Sequence, residues 1–297
     1  MINRENKKTI KNKIDNRQKG IICIIVAALG FAFMNLFIKL SGDLPVMEKA
    51  FFRNLIAAFV ALFIMIKNKI PFSTGEGGLK YLFLRAAFGT LGIFTNFYAI
   101  GMINISDAAM LNKLSPFWAI IGSVFILKEK PTKRDIFATV IAFTGALFII
   151  RPGGSNLQFF PAVIGFLGGV GAGMAYVFVR KLKKKGERTP MIVLFFSLVS
   201  CLATLPFMIF NYAHMALWQL ICLIMAGVSA ALGQFSITSA YKFAPAKELS
   251  VYDYVQVIFA ALWGMIFLGE VPVLLSIIGY VIIIGVALYR WYRRHDE

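Results

Sequence analysis

Charge is scarce in this chain, and acidic charge is the scarcest part of it: of 297 residues 15% are charged, with 14 Asp and Glu against 31 Lys and Arg. Soluble globular domains carry about a quarter charged residues, so this composition argues against a water-soluble fold. Histidine is nearly missing. His214 beside a short connector and His295 near the end are the only two, which leaves no histidine-based metal site. The three cysteines, Cys23, Cys201 and Cys222, lie inside apolar runs without C-x-x-C spacing and read as buried free thiols, so neither a metal nor a cofactor is expected. No H-E-x-x-H, no G-x-S-x-G elbow and no pair of aspartates at working spacing occurs, which argues against an enzyme embedded in the membrane. A formal net charge of +17 would suggest nucleic acid in a soluble domain, but no helix-turn-helix, zinc-finger or RNP-like pattern accompanies it. No nucleic-acid partner is expected.

What the chain has in abundance is apolar length. Hydrophobic residues make up 59% of it and the mean hydropathy is +0.76. A membrane span needs about 20 apolar residues at about 1.5 Å of rise each. Ten segments meet that test, at 20–40, 47–67, 80–100, 105–127, 134–150, 158–180, 190–211, 217–241, 247–268 and 272–290. The spacing predicts an all-α membrane protein of ten transmembrane helices, with the lipid bilayer as its first partner.

The ten segments are one unit written twice. Lys128-Glu129-Lys130-Pro131 and Gly269-Glu270-Val271-Pro272 place their glutamates 141 positions apart, and the same offset pairs Gly30 with Gly171, Lys39 with Arg180, Gly92 with Gly233 and Ala99 with Ala240. After the proline the register slips by one, so that Gly145 matches Gly285. The division expected is a basic cytoplasmic tail (1–19), two five-helix repeats (20–152 and 153–290) and a short tail (291–297). Five spans per copy is an odd number, so the second copy enters the membrane from the opposite side. Such inverted repeats relate to each other about an axis in the membrane plane, and the cavity between them can face either side.

Orientation follows from Lys and Arg, which accumulate in cytoplasmic loops. With the first residues inside, the inner connectors and tails hold 25 of the 31, while the outer connectors hold only Lys39, Lys49 and Arg151. Both termini are expected in the cytoplasm. The first nineteen residues read as a retained basic tail rather than a cleaved signal, because no small-residue cleavage site follows the first span.

The strings Ser106-Asp107-Ala108-Ala109-Met110-Leu111, Ser115-Pro116, Leu127-Lys128-Glu129-Lys130-Pro131 and Arg151-Pro152 resemble the EamA repeat of the drug/metabolite transporter superfamily. Ala244-Pro245-Ala246-Lys247-Glu248, Gly269-Glu270-Val271-Pro272 and Gly285 supply its second copy, and Arg53 and Arg85 fall where that family tends to place arginines. The resemblance implies a ten-helix carrier of small metabolites or drugs in a prokaryotic cytoplasmic membrane, with a cavity between its halves. That superfamily includes amino-acid exporters, nucleotide-sugar and sugar-phosphate exchangers and S-adenosylmethionine uptake systems. The stretches around Asp107 and from Glu248 to Asp253 resemble the last group more than the others. Lys113 departs from the family pattern, which has an apolar or small residue there.

Ionisable residues at membrane depth cost several kcal/mol unless paired or hydrated, so Lys113 and Asp253 are the first candidates for a substrate site. Asn112 and Ser115 accompany Lys113, and Tyr252 and Gln256 accompany Asp253, at spacings that share a helical face. The offset maps Asn112 onto Asp253. Counted along straight helices, Lys113 lies about 10 to 12 Å below the outer boundary and Asp253 about 9 Å above the inner one, leaving about 10 Å between them. Three readings follow: a direct ion pair made by tilt or shifted helix ends, separate roles toward anionic and cationic groups of a zwitterion, or neutralisation within the bundle. Asp253 is also the candidate for coupling to protons; an exchanged metabolite is the other candidate.

Further polar residues are candidates for lining the cavity: Asn35 in the first span, Asn96 and Tyr98 in the third, Tyr176 in the sixth, and Gln234 with Thr238 in the eighth. An amide in a membrane helix holds helices together as often as it binds a ligand. Gly165, Gly169 and Gly173 give the sixth span a smooth face for a close crossing, and Glu129 and Glu270 read as helix-end and loop anchors or as gates. Arg53 and Arg85 are expected to snorkel to the interfaces. The function expected is secondary-active transport of a small polar or zwitterionic metabolite. Export of amino acids or organic-cation drugs, and a non-transporting sensor or scaffold, are the alternatives. A channel would need rings of like charge or a carbonyl filter.

Overall fold

Helix is the only regular structure among the described residues, which in this computed structural model are 2–75, 77–128, 130–151, 158–243 and 252–293, with side chains from residue 16 onward apart from 238, 241, 242, 290 and 293. In order they form α1 (Ile2–Leu40), α2 (Val46–Lys67), α3 (Gly78–Met102), α4 (Ile105–Asn112), α5 (Ser115–Ile126), α6 (Lys133–Ile150), α7 (Phe159–Lys184), α8 (Thr189–Phe210) and α9 (Leu217–Phe243). A 3₁₀ turn (Tyr252–Tyr254) then leads into α10 (Val255–Leu268), and α11 (Leu274–Arg293) follows.

Among the described residues seven segments are long and apolar enough to cross a membrane: Asn16–Leu40, α2, α3, Ile105–Ile126 across α4 and α5, α7, α8 and Leu217–Ile237 of α9. Tyr252–Leu268 and Leu274–Tyr289 are shorter apolar helices. The remaining helix, α6, has 18 residues and agrees with the 134–150 read from sequence to within one residue, but it opens on three charges, Lys133, Arg134 and Asp135, which set it apart from the seven. Its start is built by a capping box in which Thr132 accepts from the Asp135 N–H and Asp135 accepts from the Thr132 N–H.

Side chains are distributed for lipid rather than water. Phe63, Phe125, Leu202, Phe210 and Leu274 are exposed, whereas Asn35, Asn54, Asn96, Asp107, Ser197 and Ser200 are buried. In a bilayer the outward face can be apolar, and polar groups find partners only inside.

The helices of the first half pack mainly on those of the second: α1 on α9 and α10, α2 on α8 and α9, α3 on α7 and α8, α4 on α7 and α10, α6 on α11. Small residues make this interleaving possible. A Cβ added at Gly30 would lie 2.8 Å from the Gly233 nitrogen, and one at Gly171 would lie 2.8 Å from the Gly92 Cα. Close backbone approach of this kind is how membrane helices gain packing where lipid removes the hydrophobic drive. The two contacts join α1 to α9 and α7 to α3, and the 141-residue offset exchanges one pair for the other.

Candidate functional site

The fourth apolar segment is broken in its middle by its own proline. Pro116 has no N–H to return to Asn112, and the Phe117 N–H bonds to Leu114 O at 2.9 Å instead of reaching Lys113 O. Two carbonyls are thereby released from the helical ladder at membrane depth. Tyr254 satisfies one of them, donating its hydroxyl to Lys113 O at 3.2 Å from a buried position. The backbone of α7 lies directly on the break: a Cβ at Gly169 would sit 2.6 Å from Leu111 O, and one at Gly173 would sit 2.7 Å from Ser115 O. The smooth face read from Gly165, Gly169 and Gly173 is this contact.

Lys113 and Asp253 form an ion pair, with Nζ 2.5 Å from Oδ2 and side chains only 10% and 20% exposed. The separation of about 10 Å counted along straight helices does not apply, because neither residue lies in one. Lys113 caps α4 at the break, and Asp253 lies in the 3₁₀ turn before α10, where the positive end of a helix favours a carboxylate. The second carboxylate oxygen, Oδ1, is buried and has no hydrogen-bond partner among the described residues.

The other expected site residues divide. Ser115 is buried and Asn112 half-buried at the break, while Gln256 is buried on α10. Asn35 on α1 and Asn96 on α3 are both buried with an Oδ1 that accepts no hydrogen bond among the described residues. Tyr98 is half-buried. Tyr176 is 52% exposed and lies within electrostatic reach of Asp253, Arg85 and Arg53. Gln234 lines a small cavity together with Arg53, Arg85 and Phe196. The Thr238 side chain, Glu129 and residues 244–251 fall outside the described residues.

Tyr252 packs with Ile24 and Ala240 and meets the Trp291 ring at 6.5 Å. The tyrosine at the ion pair is Tyr254, which the sequence reading passed over. It assumed a continuous α-helix, whereas the 3₁₀ turn is wound more tightly and brings Tyr254 to the break. The repeat offset held the signal, since Tyr254 is 141 residues after Lys113. Arg53 and Arg85 require a second correction: Arg53 is 8% exposed, and the Arg85 Nε and one of its terminal nitrogens are buried. Both point inward instead of snorkelling.

At the side assigned as outer, Gly269 ends α10 at φ +65, and the Glu270 N–H closes on Gly264 O at 2.9 Å. Glu270 then pairs with Lys39 at 2.5 Å and accepts from the Ile105 N–H, the first of α4, at 2.8 Å. It anchors the loop before α11 to α1 and α4.

Comparison with known proteins fits this architecture. The profile of the EamA-like transporter family matches twice, at residues 18–151 and 160–290. The chain belongs to the EamA-like transporter family. A pseudopaline exporter of Pseudomonas aeruginosa, CntI, is 32% identical over 275 residues, covering 91% of this chain and 95% of that protein. Human solute carrier family 35 member G1 is 25% identical, covering 92% and 80% respectively, and a riboflavin transporter of Brucella anthropi is 25% identical, covering 90% and 96%. A solved crystal structure covers 94% of this chain with a TM-score of 0.66 at 13% identity, a likeness of fold. This EamA-family chain is thus a multi-pass membrane protein whose family and named relatives are transporters, not enzymes.

Proposed function

We propose that this protein is a secondary-active carrier that moves a small polar or zwitterionic metabolite across the cytoplasmic membrane by alternating access, with Lys113, Asp253 and Tyr254 at the centre of its binding site. The observation that carries this reading is the pairing of Lys113 with Asp253 where two segments leave regular α-helix. Broken helices whose ends converge at mid-depth are how carriers build polar sites inside a bilayer. Asn112, Ser115, Tyr176 and Gln256 extend the site, with Asn35, Asn96, Tyr98, Gln234 and Thr238 as further lining.

Two inverted five-helix repeats, ten spans and cytoplasmic termini complete the proposal. A residue touches its own repeat mate only near the axis relating two copies, and Tyr254 bonds its mate Lys113, which supports such an axis at the site. The exchanged contacts Gly30–Gly233 and Gly92–Gly171 support it as well. Asp253, with one oxygen unpartnered among the described residues, is the proposed site of proton coupling.

Export is the second reading, and kinship to a pseudopaline exporter favours it. The test is flux of labelled solutes into proteoliposomes, with solutes chosen by a thermal-shift screen of amino acids, nucleosides, S-adenosylmethionine, organic cations and sugar phosphates. A wild-type protein that binds a solute and carries none of it would exclude the carrier.

A further inference from the structure

Among the described residues, neither Arg53 nor Arg85 has a carboxylate partner, although both guanidinium groups are inside the bundle. Arg53, on α2, spends one nitrogen on Asn54 Oδ1 at 2.7 Å and keeps its buried Nε unmet. Arg85, on α3, keeps its Nε and one terminal nitrogen buried and unmet. Both lie against one ring: the Arg85 guanidinium is 3.6 Å from the Phe196 centroid and that of Arg53 is 5.9 Å away. The seat is built for this. A Cβ at Gly89, one turn along α3, would lie 2.9 Å from the Arg85 terminal nitrogen and 2.9 Å from Phe196 Cε2, so any larger residue would displace the stacked pair. A small cavity opens on the two arginines, with Phe196 and Gln234 in its wall.

Two like charges held together inside a protein require a counter-charge, because a buried ion is paired or it binds one. Stacking on Phe196 compensates part of the cost and leaves the donor edges open. Unmet guanidinium donors present forks that match the planar geometry of an oxyanion. Tyr176 lies within electrostatic reach of Arg53, Arg85 and Asp253, so the arginines and the ion pair border the same interior.

We infer that Arg53 and Arg85, seated on Phe196 and Gly89, form an oxyanion subsite of the transported solute, taking a carboxylate or phosphate group while Asp253 faces its cationic part. The inference deepens the proposed carrier function and rests on it for the word transported; the anion site itself stands on the geometry alone. Since the Lys113–Asp253 pair is neutral as a unit, the arginines leave the cavity they line positive, and the solute group that suits it is acidic.

Isothermal titration of the purified full-length chain with succinate and with inorganic phosphate, in chloride of matched ionic strength, tests the site without requiring flux. Wild type is expected to bind one or both, and the tighter probe names the source of the oxyanion. Arg85→Gln and Arg53→Gln should each weaken that binding about 10- to 100-fold, the span expected for hydrogen bonds to charged groups. The melting temperature without ligand should hold or rise, as repulsion is relieved. Arg85→Lys, which keeps charge but loses the fork, and Gly89→Ala, which keeps both arginines but crowds their seat, should also weaken it and guard against a variant that fails to fold. Binding of neither probe by wild type, or binding that survives both glutamine substitutions, overturns the subsite. Anion binding without flux of any solute would instead remove the carrier reading and leave the subsite standing.

Discussion

Tyr254 donates its hydroxyl to the main-chain carbonyl of Lys113 at 3.2 Å, and the two residues stand 141 positions apart, the offset of the internal repeat. The bond closes the carbonyl that the displaced Phe117 N–H leaves open. Breaking the fourth segment is therefore compensated by a side chain from the other half.

Removing that hydroxyl isolates its contribution. Tyr254→Phe is expected to destabilise the protein by about 1 to 3 kcal/mol, the cost of an unmet buried acceptor. Thermal unfolding in detergent should show a lower melting temperature, and a Lys113→Met background should leave that loss unchanged, because the carbonyl rather than the ammonium is the partner.

The ion pair should behave asymmetrically under mutation. Lys113→Met or Asp253→Leu alone leaves a buried charge and is expected to cost about 3 to 5 kcal/mol, while the double substitution should recover most of the loss. A double-mutant cycle on melting temperature measures this. If the pair also binds solute, the double variant will be stable and inactive in flux.

Asp253→Asn separates coupling from binding. Proteoliposomes carrying this variant should exchange solute across the membrane yet lose acceleration by an imposed pH gradient. Uptake that stays fully gradient-driven would remove the proton role.

Close approach at the break forbids bulk on α7. Gly169→Leu would drive a side chain into Leu111 O, only 2.6 Å from where a Cβ would sit, and overpacking of this kind costs about 1 to 3 kcal/mol or more. Poor expression or loss of flux is expected, and normal yield with full flux would show that the crossing opens.

Orientation is testable by chemistry at single sites. In a variant with Cys23, Cys201 and Cys222 replaced, Asp43→Cys should react with an impermeant thiol reagent from outside intact cells, and Lys184→Cys should react only after lysis. The reverse pattern would invert the assignment drawn from Lys and Arg.

Much of the architecture could be read from residue patterns because lipid imposes simple rules. Helices must satisfy their own backbone, so apolar length marks segments, and positive charge in connectors marks a side. The limits were equally physical. α6 stands apart from the clear spans because its first three residues are charged, and the inward turn of Arg53 and Arg85 was not legible because distance from a helix end does not say which way a long side chain turns. Tyr254 was missed in favour of Tyr252, since a three-residue change of winding alters which side chain faces the break.

Residue order alone determined the helical class and the family, and it singled out Lys113 and Asp253 as charges inside apolar runs, since all of these depend on periodicity and on the rarity of charge in an apolar chain. Tertiary structure decided that those two charges touch, that Tyr254 caps the break and that two arginines share one phenylalanine with no carboxylate partner among the described residues. Each of these arises where a helix departs from regularity or a flexible side chain chooses a direction, and such choices are made by packing between halves far apart in the chain.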